Sequence, residues 1–293
     1  DTMGHTATLV QTWKRLHLNA PNFRALVVAC GLQGIQQLCG FNTLMYYAPT
    51  LFENVGFDNS LVIGLVISIV NLAFTLVALV IIDKAGRRRI ACLTVPGMCG
   101  ALVLAAIAFH FLTINTGGQL PDDGVGLSKK WNPVVLFSML LYVAFYATGI
   151  GNIPWQQGEL FEMSVRGMGT ALATTCNWGA SPSSLSRFSA TTTTTTSITD
   201  SRIRTGGNLI IGSTFLSLID AISPAGAFGF YAGLCFLGSV FVFFLYPETS
   251  GLSLEETREV FKDGYGIKKA NRMRAQKAQA LAQVRAEADG IDA

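Results

Sequence analysis

The stretch GIQQLCGFNTLMYY, residues 34–47, decides how the chain folds. It sits inside a run from Ala25 to Ala48 that holds no charge. Yet it carries Gln36, Gln37 and Asn42, with Gln33 just before it, and Tyr46 and Tyr47 close the run. An uncharged run of this length can cross a bilayer as one helix, which takes about 20 residues. A polar group in hydrocarbon needs a hydrogen-bond partner, so four amides in such a helix are costly unless something binds them.

The rest of the chain agrees with a membrane. Half of its 293 residues are hydrophobic, only 13% are charged and the mean hydropathy is +0.43. A soluble domain carries about 25% charged residues. Further uncharged windows lie at 60–82, 90–114, 132–158 and 221–247. Backbone groups in lipid must be satisfied within the segment, so each window is a helix. With one interrupted window, they predict an all-α polytopic membrane helix bundle. The six cysteines (Cys30, Cys39, Cys92, Cys99, Cys176, Cys235) all fall in apolar segments without metal-ligand spacing. They read as small buried hydrophobes. His5, His17 and His110 have no acid or cysteine at catalytic spacing, which argues against an enzyme.

Charge placement orients the helices. Lys14, Arg15 and Arg24 precede the first window, and Glu53 and Asp58 follow it. Lys84, Arg87, Arg88 and Arg89 follow the second, Arg166 follows the fourth, and the tail beyond Pro247 is basic. Basic short loops stay in the cytoplasm. Six crossings with both termini cytoplasmic satisfy that rule; five do not.

The sixth helix has to be assembled. Gly167–Ala180 and Asn208–Ile219 are each too short to span, but joined they are long enough. Between them, residues 181–207 hold three arginines, an aspartate and six consecutive threonines. Such a tract cannot be helix in lipid. It is either a genuine extramembrane loop between two re-entrant halves or a foreign insert, such as translated intron sequence. The topology count favours the insert.

Polar side chains recur on single helix faces. Gln33, Gln37 and Gly40 share one by spacing; Asn42 joins them only if the helix unwinds, for which Gly34 and Gly40 are suited. Ser68, Asn71 and Thr75 form a second stripe; Asn152, Gln156 and Glu159 a third; Thr170, Thr174 and Asn177 a fourth. Any one stripe can be glue between helices. Four together, with Trp155 and Trp178 beside them, suit a neutral polyhydroxylated ligand. Amides donate and accept, and indoles offer an apolar face.

The opening stretch resembles the QQxxGxNxxxYY signature of sugar porters of the major facilitator superfamily, through Gln36, Gln37, Gly40, Asn42, Tyr46 and Tyr47. DKAGRRR (83–89), GIGNIPWQQGELFEMSVRGMG (149–169), Asn177-Trp178 and PETSGLSLEE (247–256) resemble further motifs of that family, in its order. The likeness is to its C-terminal half, helices seven to twelve. GNIPWQQ, NLIIGSTFLSL and SPAGAFGFYAGLC are similar to fungal-type myo-inositol (polyol) transporters.

The resemblance implies transport of a neutral polyol or sugar, myo-inositol favoured, by alternating access, with no cofactor and with a proton as co-transported ion in the intact parent. Gln36, Gln37, Asn42, Asn71 and Asn177 would hydrogen-bond the substrate, and Trp155 would stack near it. Tyr46 and Tyr47 would belong to an extracellular gate. Asp83, Arg87, Arg88, Glu159, Arg166 and Glu248 would form a cytoplasmic gating network. Trp155 and Glu159 are separated by three residues where most sugar porters have four, so Trp155 could be turned by about 100°. Ser250 replaces the lysine of the PETKG motif.

The implied layout is a cytoplasmic lead-in at 1–23, a six-helix transmembrane half-transporter at 24–248 and a cytoplasmic tail at 249–293. Its partners would be the lipid bilayer, the small-molecule substrate and a missing N-terminal six-helix half, with no nucleic acid. The plasma membrane is the expected location. A truncated fragment without activity and a non-transporting sugar sensor are the alternatives. In the tail, Ser253 and Glu256 predict a capping box, and residues 268–288 a frayed, solvated helix.

Overall fold

The computed structural model describes residues 2–55, 60–118, 127–178, 222–262 and 264–291. The segment 181–207 and the apolar piece 208–219 lie outside the described residues. Every regular element described is helical. These are α1 (Thr2–Leu18), α2 (Ala20–Leu38), α3 (Phe41–Asn54), α4 (Ser60–Ala85), α5 (Arg87–Leu112) and α6 (Asn132–Thr148). A 3₁₀ segment, Ile153–Leu160, follows, then α7 (Arg166–Trp178), α8 (Pro224–Leu245), α9 (Leu254–Lys262) and α10 (Ile267–Ile291).

Proline opens α2, α6 and α8, at Pro21, Pro133 and Pro224. There its missing N–H removes no bond and its fixed φ suits the first turn. Among the described residues four segments are long and apolar enough to cross a membrane: Val62–Ala85, Arg87–Leu112, Asn132–Leu160 and Pro224–Leu245. The chain is an integral membrane protein. On α4, Leu65, Leu72, Leu76, Leu79 and Val80 all point outward and are exposed. A row of bare aliphatic side chains is stable against acyl chains, not against water.

The opening window is not one helix. It divides at Cys39-Gly40, and Gly40 has a φ of +86°. Gly34 stays helical within α2, so only the second glycine breaks the run. The helix bearing Trp155 also stops early, at Gly149, and continues as the 3₁₀ segment.

α8 packs along α5, α5 and α4 against α6, and α2 against α7 and α8. The α2–α8 contact is reciprocal. A Cβ on Gly31 would lie 2.0 Å from the Phe241 ring, and one on Gly238 would lie 2.8 Å from the Ile35 side chain. Each helix thus offers a glycine socket to a large side chain of the other. The cysteines are less uniform than their apolar settings suggest: Cys39 and Cys235 are buried, but Cys176 is exposed.

The tail is docked rather than merely solvated. Ser253 and Glu256 form the expected capping box: Ser253 N–H donates to Glu256 Oε2 at 2.6 Å and Glu256 N–H to Ser253 Oγ at 3.3 Å. Lys269 and Lys277 of α10 pair with Glu259 and Glu256 of α9 at 3.1 and 3.0 Å. Arg24, in the first turns of α2, donates to the carbonyls of Phe261 and Lys262, both at 2.7 Å. It satisfies the orphan acceptors at the C-terminus of α9.

Candidate functional site

Two polar centres emerge, one inside the bundle and one at its end. The inner centre is built by α2, α7 and the chain after α6. Gln33, Gln36, Gln37 and Asn177 are all buried. Asn177 Nδ2 donates to Gln33 Oε1 and Gln36 Oε1, both at 2.6 Å. Gln33 Nε2 in turn donates to the Pro154 carbonyl at 3.2 Å, and Gln36 Nε2 to the Gly151 carbonyl at 2.8 Å. Those carbonyls are available because α6 has ended and its continuation is irregular. The Asn177 amide therefore collects two glutamine oxygens, and the glutamine nitrogens collect the unwound backbone.

The helix break places the remaining amide. Asn42 Nδ2 donates to Gln37 Oε1 at 3.1 Å, across Gly40. This is the junction that spacing on an unbroken helix forbids. Trp155 is about half exposed, and its ring centre lies 6.4 Å from that of Trp178. Trp155 follows Pro154 and Trp178 follows Asn177, so both indoles border the amide network.

Asn71 is not joined to this centre. It lies on α4, which packs on α3 and α6, and it makes no hydrogen bond among the described residues. Tyr46 and Tyr47 belong to α3, but their side chains lie outside the described residues. Gln157 is a residue the polar stripes did not single out. It is buried, and its Nε2 donates to Thr174 Oγ1 at 2.9 Å and the Thr170 carbonyl at 3.3 Å, fixing the 3₁₀ segment to α7. The paired amides of Trp155-Gln156-Gln157 were its only signal.

The second centre sits where α4 turns into α5. Glu248 is buried and accepts the backbone N–H groups of Arg87 and Arg88 at 3.0 and 3.1 Å, and that of Ser250 at 3.2 Å. A carboxylate thus caps the first turn of α5, where the amides are free and the helix dipole favours negative charge. Gly86 makes this approach possible: a Cβ there would lie 2.4 Å from Glu248 Oε2. The Arg87 guanidinium takes Glu159 in a two-pronged grip and stands 3.5 Å from Asp83. Arg274, from α10, reaches Glu248 at 3.6 Å.

Two arginines of the expected network are placed elsewhere. Arg88 donates to the Phe243 carbonyl at 2.7 Å and lies over the Phe243 ring. Arg166 forms no ion pair among the described residues, and its Nε and Nη2 are buried without a partner. Ser250, in the place of a lysine, donates its hydroxyl to the Asp83 carbonyl at 3.2 Å. Arg24, Arg258 and Arg274 join this end of the bundle without any motif to announce them; Arg258 stands 3.5 Å from Glu162.

The family model described as sugar (and other) transporter matches residues 2–197 and 188–261. The chain belongs to that family. Myo-inositol transporter 1 of Cryptococcus neoformans is 49% identical over 280 residues, covering 96% of this chain and 44% of the relative. Myo-inositol transporter 1 of Saccharomyces cerevisiae is 43% identical, covering 93% and 42%. These relatives are transporters rather than enzymes, and they bear out the likeness to fungal myo-inositol transporters. Among solved structures, the inward open conformation of the xylose transporter XylE from E. coli is 24% identical with a TM-score of 0.57, over 80% of this chain and 42% of that one. That match shows the fold, an all-α helix bundle. The chain spans less than half the length of the relatives it matches.

Proposed function

We propose that the chain is the C-terminal, six-helix half of a transporter for a neutral polyol or sugar, with myo-inositol the favoured substrate. One observation carries this reading: the buried amide network of Gln33, Gln36 and Asn177, continued across the Gly40 break by Gln37 and Asn42. Amides that bond one another at mid-bundle can exchange those bonds for hydroxyl groups, donating and accepting at each position. Five amides and two bordering indoles fit a ring of hydroxyls with apolar C–H faces better than a charged solute. The identity to two myo-inositol transporters supports the same substrate.

In the intact protein the chain works with a second half. Transport proceeds by alternating access, with the Arg87–Glu159 and Glu248 contacts closing the cytoplasmic end and a proton as the coupled ion. The other six-helix half completes the site. Both termini lie in the cytoplasm, and the membrane is the plasma membrane. Residues 24–248 form the half-transporter, 1–23 the lead-in and 249–293 the tail. The family match is split into two pieces that overlap at residues 188–197, inside the 181–207 tract, and a split at that place supports an interruption of helix eleven there.

The test is uptake of radiolabelled myo-inositol into proteoliposomes. The chain is reconstituted alone and together with the N-terminal six helices of a myo-inositol transporter. Uptake in the combined sample that unlabelled myo-inositol competes away, and that Asn177→Ala abolishes, supports the reading. Uptake by neither sample sinks it and favours a fragment without activity.

A further inference from the structure

We infer that Tyr142 is a positioning residue for the amide site, its hydroxyl holding open the break that separates Gln36 and Gln37 on α2 from Asn42 on α3. The inference rests on the polyol reading for what the break serves, not for how it is held.

An uninterrupted helix would give the Cys39 carbonyl a donor four residues on. At Gly40 the chain leaves the helical ladder, with φ at +86°. A carbonyl at this depth has no water to turn to, so the break needs a protein donor. Tyr142, buried on α6, supplies it: its hydroxyl donates to the Cys39 oxygen at 2.9 Å. The Cys39 thiol meanwhile donates to the Gln36 carbonyl at 2.9 Å, finishing the end of α2.

The contacts that α8 and Tyr146 make at the break are ring contacts. The Tyr231 ring of α8 lies against Gly40, 2.7 Å from where a Cβ would be. Phe41, the first residue of α3, stacks on Tyr146, one turn beyond Tyr142 on α6, with ring centres 3.7 Å apart. These rings fill space on both sides of the break but offer the carbonyl nothing. A small cavity borders the break, lined by Cys39, Gly40, Tyr142 and Tyr231 with Leu102 and Phe228. The Asn42–Gln37 bond spans the break within this one segment, whereas the Tyr142 hydroxyl ties the Cys39 carbonyl to a different helix and so fixes the angle of the break against the bundle.

The experiment is amide hydrogen exchange on the whole chain in lipid nanodiscs, read at Cys39 and Leu44, whose N–H groups bond Ile35 and Gly40 on either side of the break. Tyr142→Phe removes the donor alone. It is expected to speed exchange there about tenfold, the effect of orphaning one buried acceptor. Ser138→Ala, which deletes another buried α6 hydroxyl that bonds only within its own helix, is expected to leave both amides unchanged. Unchanged or slower exchange in Tyr142→Phe, or equal acceleration in Ser138→Ala, overturns the proposal. Should Tyr142→Phe fail to fold, 3,5-difluorotyrosine at position 142 decides. Its stronger donor must slow exchange at the same amides, and no slowing overturns the proposal.

The same variants, reconstituted together with the N-terminal six helices of a myo-inositol transporter, are titrated with myo-inositol. A fall in affinity of about tenfold in Tyr142→Phe, absent in Ser138→Ala, ties the break to the site. Equal affinity in the two overturns the positioning role. If the unaltered chain so reconstituted binds no polyol, the functional reading fails, while the exchange arm still judges the pin.

Discussion

Arg87 and Glu159 meet side by side, two guanidinium nitrogens against two carboxylate oxygens, with Arg87 Nη2 at 3.0 Å from Oε1. The two partners are unequal. The Arg87 side chain is 9% exposed and that of Glu159 is 47% exposed. Removing the acid leaves a buried cation whose remaining ion pair among the described residues is the 3.5 Å contact with Asp83; removing the arginine leaves an acid that water can solvate. Glu159→Ala is therefore expected to destabilise the chain by about 1–2 kcal/mol, between the values for exposed and buried pairs. Arg87→Ala should cost less. Thermal unfolding in a fixed detergent, run as a double-mutant cycle, checks both the size and the order.

Asn177 feeds two glutamine oxygens from one nitrogen. Asn177→Asp sets a carboxylate against those oxygens, whereas Asn177→Ala only removes their donor. The aspartate is expected to be the worse substitution, for stability and for myo-inositol binding alike. Unpaired buried acceptors cost about 1–3 kcal/mol each, and a charge facing them costs more. Equal effects of the two variants would show that Asn177 does not face the glutamines.

Gly40 is constrained twice, by its positive φ and by the Tyr231 ring. Gly40→Ala should cost about 1–2 kcal/mol for the backbone alone, plus the clash. Pairing it with Tyr231→Ala should recover the clash but not the backbone cost. A double variant as stable as Tyr231→Ala alone would show that the left-handed conformation is not needed.

The tail carries an expected pH dependence. The Ser253 N–H, foremost, and then the Lys277 ammonium hold the Glu256 carboxyl below the usual glutamate range. Lys262 and Lys269 do the same for Glu259. A lowered folded-state pKa adds stability that is present above the ordinary glutamate value and is lost as pH falls through the lowered one. Docking of α10 on α9 should thus persist at neutral pH and weaken only in acid. Carboxyl titration by NMR should place both groups below ordinary glutamates. Lys277→Ala should raise Glu256 only part of the way, because the capping N–H remains.

Much of the fold could be read in the sequence because membranes impose a simple rule. Uncharged runs of sufficient length become helices, and α4, α5, α6 and α8 follow it. The break at Gly40 was legible for the same reason that Asn42 was puzzling: its amide could reach Gln37 only if the helix gave way. Gly34 carried an equal signal and stayed helical; among the described residues no side chain presses on it as Tyr231 presses on Gly40. Arg88 looked like Arg87 in the GRRR run, yet one helical step turned it toward Phe243 instead of Glu159. Arg24, Gln157, Tyr142 and Arg274 were not legible. Each acts on a carbonyl or carboxylate distant in sequence, and no local spacing records which distant acceptor goes unmet.

The paired sockets between α2 and α8 bear on how the amide helix can travel. Phe241 seats at Gly31 and Ile35 seats at Gly238, one knob from each side. Sliding α2 along its axis would lift both knobs against the facing helix at once, like two meshed gear racks forced out of register. The amide-bearing helix and α8 are thereby coupled in translation, and any stroke of one carries the other.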